Sequence, residues 1–296
     1  MSALRILALR CSFALGSRLA PRRTARRATD LWFKVPRQPM PPPPAEPPGG
    51  TTRELTGDHG LVRARSWGTG PAVCFVHGWG GSGDQVHGFV EPLLRRGMRV
   101  VTFDAPGHGA TPVGDTGHTN AVETARALRT VAAEHGPLHA VLAHSLGAAA
   151  TIIAIRRQWI APKQLVLIAP LTEVRSQLDR FVDALAVDQR ARLHLDAEVL
   201  RHTGLGIDEF GYSGQDPLLG RLPLVAVHDR QDKFVPYRAT ADLVDSWPHS
   251  RVITTDGLGH VRILADPHLA NELAAALAGY PEPAGHARSD EERAVR

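Results

Sequence analysis

Residues 139–150 read HAVLAHSLGAAA, and this stretch decides the fold. A short apolar run, HAVLA, gives way to LGAAA, a run of small residues that favour a helix. That order predicts a buried strand turning directly into a helix. Ser145 stands on the turn. A serine there can be an ordinary helix N-cap. It can also be a nucleophile, held out towards substrate by a sharp strand-to-helix turn.

Working outward, apolar runs recur at 71–76 (PAVCFV), 99–103 (RVVTF), 164–169 (QLVLIA), 223–228 (PLVAVH) and 251–255 (RVITT). Helical patterns separate most of them, as at 119–134 and 146–158. Apolar strands alternating with helices predict an α/β fold, a mostly parallel central sheet with helices on both faces. The stretch 172–220 is charged and helical in pattern and has no strand run, so it reads as an insertion carried on the sheet.

Ligands of such sheets bind beyond the carboxyl ends of the strands. The segments that follow the strands are HGWGG (77–81), DAPGHG (104–109), HSLG (144–147), DRQDKFVP (229–236) and DGLGHVRIL (256–264). A serine nucleophile needs a base, and the base needs an orienting acid. His260 and Asp232 both follow later strands, in the order Ser–Asp–His expected when all three hang from one parallel sheet. Asp229 is the rival acid in the same loop, and Glu173 a more remote one. An oxyanion needs two backbone N–H donors. Leu146, at the start of its helix, and Trp79, in a glycine-rich turn, are the candidates. His77, His108 and His144 lack metal-ligand spacing and read as structural residues. Asp104 reads as a carboxylate that fixes its own loop.

These five segments, in this order and spacing, resemble the α/β-hydrolase fold superfamily over roughly residues 55–280. The resemblance implies an elbow nucleophile at Ser145, the acid at Asp232 (supported by the Val235-Pro236 that follows) and the base at His260. It implies oxyanion donors at Trp79 and Leu146, and a helical cap at 172–220. Ala143 stands where the elbow pattern has glycine, which bears on strain in the turn. A serine at the elbow separates the chain from the halide-removing members, which carry aspartate there. The implied activity is cofactor-free, metal-free hydrolysis of an acyl ester, thioester or lactone through an acyl-enzyme. Two alternatives stay open. One is carbon–carbon bond hydrolysis of a dicarbonyl compound, for which Arg175 or Arg180 would hold a carboxylate. The other is a non-catalytic ligand-binding protein on the same scaffold.

The chain of 296 residues has a net charge of +4. Residues 1–40 hold nine Arg or Lys against Asp30, a net +8, which leaves −4 for the remainder. The basic character therefore belongs to the leader, and no nucleic-acid partner is expected of the body. Arginines interrupt every apolar run of the leader, so no segment there is long enough to span a membrane. Residues 3–15 can be read as a basic amphipathic helix on an anionic membrane, and the alternative is a disordered, solvated leader. The expected organisation is a disordered leader and Pro/Gly-rich linker (1–50), a first core part (51–171), the insertion (172–220), a second core part (221–280) and a polar tail (281–296). Expected partners are a small, apolar acyl substrate and a weak membrane contact through residues 1–35. The expected location is cytoplasmic or peripheral to a membrane.

Overall fold

The computed structural model describes residues 3–35, 44–58, 60–113 and 119–279. Part of the Pro/Gly-rich linker and the whole C-terminal tail lie outside the described residues. An eight-stranded sheet forms the centre: β1 (Thr51–Gly57), β2 (Gly60–Trp67), β3 (Ala72–Val76), β4 (Arg99–Phe103), β5 (Leu138–His144), β6 (Gln164–Ile168), β7 (Leu224–Asp229) and β8 (Ser250–Thr255). The strand order is β1-β2-β4-β3-β5-β6-β7-β8. From β4 to β8 every pairing is parallel, and β1 and β2 add an antiparallel edge. The six apolar runs are the six parallel strands. β3, β5 and β6 are buried along their whole length, as strands covered on both faces must be. β1 and β2 were not apparent from the sequence, because TTRELTG is polar and largely exposed.

Helices cover both faces. In chain order they are α1 (Ala3–Leu19), α2 (Pro21–Trp32), α3 (His87–Leu94), α4 (Ala121–His135), α5 (Leu146–Arg156), α6 (Val174–Ala184), α7 (Gln189–Arg192), α8 (Leu195–Thr203), α9 (Tyr237–Ser246), α10 (Gly259–Arg262) and α11 (Pro267–Ala278). On one face Phe89 and Leu93 of α3 pack with Leu269 and Leu273 of α11. On the other, Leu128 and Val131 of α4 pack with Ile152 of α5. The stretch between β6 and β7 forms α6, α7 and α8, with no strand.

The leader departs from the expectation of disorder. Residues 3–19 and 21–32 are two helices, and the second packs against α6, α7 and α8. Pro21 occupies a first-turn position, where its missing N–H costs nothing. Thr24, Ala25, Ala28 and Thr29 recur at helical spacing and are buried, while Arg22, Arg23, Arg26 and Arg27 face out. Small residues on the inner face let α2 lie close to its neighbours. The described part of the linker is also docked: Trp67 Nε1 donates to Pro47 O at 3.1 Å.

Candidate active site

The HAVLAHSLG stretch builds β5, a turn and α5, and Ser145 is the turn. Its backbone sits at φ 51°, ψ −119°, a conformation few residues with a side chain adopt. Such strain costs about 1–3 kcal/mol and persists only where the surroundings fix it. Here Ser145 N donates to Ile168 O at 3.0 Å and Leu171 N donates to Ser145 O at 3.2 Å. Gly147 is required by close approach: a Cβ there would lie 2.3 Å from Val76 O. Ala143, in the position of concern, is fully buried in β5, paired with Val76 and Leu167.

Three of the sequence-predicted residues meet at the carboxyl edge of the sheet. His260 Nε2 lies 3.0 Å from Ser145 Oγ, and His260 Nδ1 lies 2.6 Å from Asp232 Oδ2. Asp232 Oδ1 accepts N–H bonds from Phe234 (2.7 Å) and Val235 (3.0 Å). Burial of Asp232 opposes its charge, but hydrogen bonds from His228 and His260 outweigh it, and the carboxyl is held well below the usual carboxylate range. It is therefore an anion at neutral pH, and its hydrogen bond fixes the proton of His260 on Nδ1. That leaves Nε2 as an acceptor towards Ser145.

Asp229 does different work. It accepts from Gln231 N (2.9 Å), Thr255 Oγ1 (2.8 Å) and Leu258 N (2.9 Å), which ties the ends of β7 and β8 together. Glu173 accepts from Ser176 Oγ at 2.8 Å. Arg175 is held by Asp208 at 2.7 Å and Asp196 at 3.0 Å, and neither it nor Arg180 lines the cavity described below.

The HGWGG turn lies against the Ser145 turn. A Cβ on Gly78 would come within 2.9 Å of both Ser145 Cβ and His144 Nδ1. Two histidines clip this turn to the 104–109 loop. His77 Nε2 accepts from Ala105 N at 2.9 Å, and His108 Nε2 accepts from Gly80 N at 3.0 Å. Burial pushes both rings down to about 4, so they are neutral acceptors at pH 7. Asp104 accepts from Gly83 N and Ala110 N, both at 2.8 Å. Trp79 and Leu146 line the same cavity as Ser145.

Sequence reasoning missed two contacts around His260. His144, pushed down to about 3 by burial with His260 beside it, donates through Nε2 to His260 O at 2.9 Å. His228, wholly buried, has Nε2 3.1 Å from Val235 O and 3.3 Å from Asp232 Oδ2, and Nδ1 2.6 Å from Thr240 Oγ1. With acceptors on its Nε2 side, the ring carries its proton there. His144 reaches across the sheet edge to the segment after β8, while His228 is held by the loop and helix that follow its own strand.

Ser145 and His260 open into a cavity of about 520 Å³. Its walls come from three places: the sheet edge, the 174–210 helices (Val174, Phe181, Val199, Ile207, Phe210) and, unexpectedly, Leu31–Lys34 at the end of α2. Among the described residues no carboxylate lines it, and Lys34 is its one charged side chain. Among the described residues no group of three or more His, Cys, Asp or Glu is arranged to hold a metal ion.

Comparison with known proteins bears on the fold and the reaction class. A family model described as serine aminopeptidase, S33, matches residues 69–206. The pimeloyl-[acyl-carrier protein] methyl ester esterase of Aeromonas hydrophila is 27% identical, over 72% of this chain and 97% of that protein. A thermophilic esterase from Thermogutta terrifontis superposes with a TM-score of 0.56 at 16% identity, over 77% of this chain and 96% of that one. Mouse alpha/beta hydrolase domain-containing protein 10 gives 0.60 at 15%, over 77% and 96%. A bacterial membrane phospholipase A gives 0.59 at 16%, but over 93% of this chain and 97% of its own. Residues 51–296 are about 83% of the chain, so that last match extends into the N-terminal segment. The chain has the α/β-hydrolase fold, and with the family match over 69–206 and the esterase relative it is a hydrolase.

Proposed function

We propose that the protein is a serine esterase acting on small esters with an apolar acyl or alcohol part. One observation carries the reading: Asp232, His260 and Ser145 form a continuous hydrogen-bonded relay that ends in an apolar cavity. His260 Nε2 takes the hydroxyl proton as Ser145 Oγ bonds to the ester carbonyl carbon. The carbonyl oxygen becomes an oxyanion, held by the N–H groups of Trp79 and Leu146 and by the positive end of α5. The intermediate collapses, the carbon–oxygen bond to the alcohol breaks, and His260 returns the proton to the leaving oxygen. Water, deprotonated by His260, then attacks the acyl-enzyme and releases the acid and Ser145.

The walls support an ester in preference to the alternatives. A peptide's terminal ammonium would meet no carboxylate among the described lining residues, and a dicarbonyl acid would meet Lys34 but neither Arg175 nor Arg180. The esterase relatives, one of them acting on a methyl ester, point the same way. The acyl chemistry extends to thioesters and lactones, which present the same carbonyl.

A weak membrane contact accompanies this activity. No described helix is long and apolar enough to cross a membrane. On α1, Leu4 (78% exposed) and Leu7 (58%) stand out with Ile6, beside Arg5 and Arg10. Apolar side chains flanked by arginines suit an anionic lipid surface, and the phospholipase that matches into this segment is a membrane protein.

The test is labelling with a fluorophosphonate, read by intact mass and peptide mapping, beside turnover of p-nitrophenyl butyrate. A single adduct on Ser145, lost in His260→Ala, is expected, with Ser145→Ala lowering turnover at least about 10³-fold. Near-wild-type turnover in Ser145→Ala would sink the assignment. For the membrane contact, Leu4→Glu/Leu7→Glu should abolish sedimentation with phosphatidylglycerol vesicles. Equal sedimentation of variant and wild type contradicts it.

A further inference from the structure

We infer that the N-terminal segment is part of the substrate site: the last turn of α2 and the residues after it, Leu31–Lys34, form the outer wall of an acyl-chain pocket and set preference for medium-length chains. The inference rests on the esterase reading for its substrate class, and on geometry of its own for the wall.

Leu31, Trp32 and Phe33 border the same cavity as Ser145 and His260. They are not loosely laid over it. The Trp32 ring meets Phe181 of α6 at 5.1 Å between centroids, and Phe33 meets His202 of α8 at 4.7 Å. Asp30 Oδ1 lies 2.9 Å from His202 Nε2, and Arg201 stands 3.5 Å from the same oxygen. Further back, Ala25 and Ala28 are wholly buried, and Phe13 of α1 is buried beneath Arg27. The contacts continue to the turn before α7, where Asp188 N donates to Ser17 Oγ at 3.1 Å. α1 and α2 thus anchor the last turn of α2 on the helical insertion from one side while the cavity opens on the other.

The cavity has its reactive groups at one end, and Lys34 is the charged residue of the outer wall. Ser145, His260 and the HGWGG backbone stand at the sheet edge, while Phe181, Val199, Ile207 and Phe210 extend the walls into the insertion. Trp32 and Phe33 close the side that these residues leave open. A volume of about 520 Å³ lies within the roughly 300–1,000 Å³ of pockets that enclose whole ligands, and an acetyl group would leave most of it unfilled. The chemistry that fits is an unbranched saturated chain with its carbonyl at Ser145.

The experiment uses the full chain and two readouts. In the first, kcat/KM is measured for p-nitrophenyl acetate, butyrate, octanoate and decanoate in wild type and in Trp32→Ala/Phe33→Ala. The decanoate-to-acetate ratio is expected to drop about 10- to 100-fold, the loss that follows when apolar contact of one or two side chains is removed. An equal drop for all chain lengths, or none, overturns the inference. In the second, decanoate binding is measured by calorimetry in Ser145→Ala and in Ser145→Ala/Trp32→Ala, each checked for a cooperative melt; Trp32→Leu replaces Trp32→Ala if the latter does not fold. Weaker binding in the double variant supports the wall, while equal binding, or no binding to Ser145→Ala, refutes it. If wild type cleaves no ester but decanoate binding still depends on Trp32, the esterase reading fails and the wall stands. If esters are cleaved with an unchanged chain-length profile, the wall fails and the esterase stands.

Discussion

Replacing Asp232 by asparagine tests the relay at the point where geometry makes the sharpest demand. Asp232 Oδ1 already accepts two backbone N–H bonds, from Phe234 and Val235. An amide can keep both only by turning its oxygen to them, which leaves its NH₂ group facing His260 Nδ1. The opposite rotamer sets NH₂ against two N–H donors and leaves all of them unpaired. The first orientation therefore wins, and it forces the His260 proton from Nδ1 to Nε2. Nε2 then points a proton at Ser145 Oγ, 3.0 Å away, and cannot accept one. Restoring the working tautomer costs a charge-assisted hydrogen bond, about 1.5–3 kcal/mol. The imidazolium formed during reaction also loses its anion; two unit charges about 4 Å apart at an effective dielectric near 20 attract by about 4 kcal/mol. Together the losses are about 5.5–7 kcal/mol before relaxation, an upper limit of about 10⁴–10⁵ in kcat, and after relaxation kcat should fall by roughly 10³–10⁴. The assay is initial-rate hydrolysis of p-nitrophenyl butyrate, with a melting curve to establish that the variant is folded. Asp229→Asn is the paired control. There the amide must face at least one of the donors Gln231 N, Thr255 Oγ1 and Leu258 N, a cost of about 1–3 kcal/mol in stability. If Asp232→Asn keeps more than a tenth of wild-type kcat, while folded Asp229→Asn loses a thousandfold, the assignment of the acid is wrong.

Other consequences can be checked alongside. His77 and His108 stay neutral in the fold down to about pH 4, but titrate near 6.5 in the unfolded chain. The unfolded state therefore binds more protons between those values, and stability falls as pH drops from about 6.5 to 4, on the order of 3 kcal/mol from His77 alone; a urea midpoint unchanged between pH 7 and 4.5 would contradict this. The depressed carboxyl of Asp232 contributes stability that is fully present above about pH 4 and is lost only below it, so the stability gap between wild type and Asp232→Asn should narrow as pH falls below 4. Gly147→Ala brings a methyl against Val76 O and should lower the melting temperature by an amount matching about 1–3 kcal/mol or more, with an unchanged melt as the contrary result. Arg175→Ala removes two exposed ion pairs and should cost under about 1 kcal/mol with ester turnover retained; a specific loss of carboxylate-bearing dicarbonyl substrates in that variant would revive the carbon–carbon alternative.

The parallel half of the sheet and its carboxyl edge were legible in the sequence because each is a local matter. A buried strand needs a continuous apolar run, and a strand-to-helix turn needs small residues beside it, so HAVLAHSLGAAA announces both. Asp232 and His260 were found through order along the chain, since a parallel sheet delivers every loop to one edge. His144 reads as structural in the sequence, but nothing there foretells its partner, the backbone carbonyl of His260; His228 does not stand out, because its contacts with Asp232, Val235 and Thr240 exist only once the loop after β7 turns back on its own strand. The strand β1 stayed hidden because an exposed edge needs no apolar run, and β2 because it buries only some of its residues, Val62, Ala64 and Trp67, and so has no continuous apolar run.

The leader shows how composition can mislead. Nine cations in forty residues read as a solvated segment, since a helix of that charge has no evident way to bury a face. The structure answers with small residues. Ala25 and Ala28 bury little area each, so they raise no hydrophobic signal, yet they let the backbone of α2 approach α7 and α8 closely while every arginine of that helix stays outside. The one local hint was aromatic, Trp32-Phe33 directly after Asp30, a cluster that a purely solvated leader has no use for. Its destination is set by the helices of 174–203, more than a hundred residues later, and Asp30 meets His202 only once those helices exist. A helix that depends on the insertion for its burial, and closes the cavity the insertion lines, folds and functions with it as one unit. Loosening the Asp30–His202 contact should therefore register in chain-length preference as well as in stability.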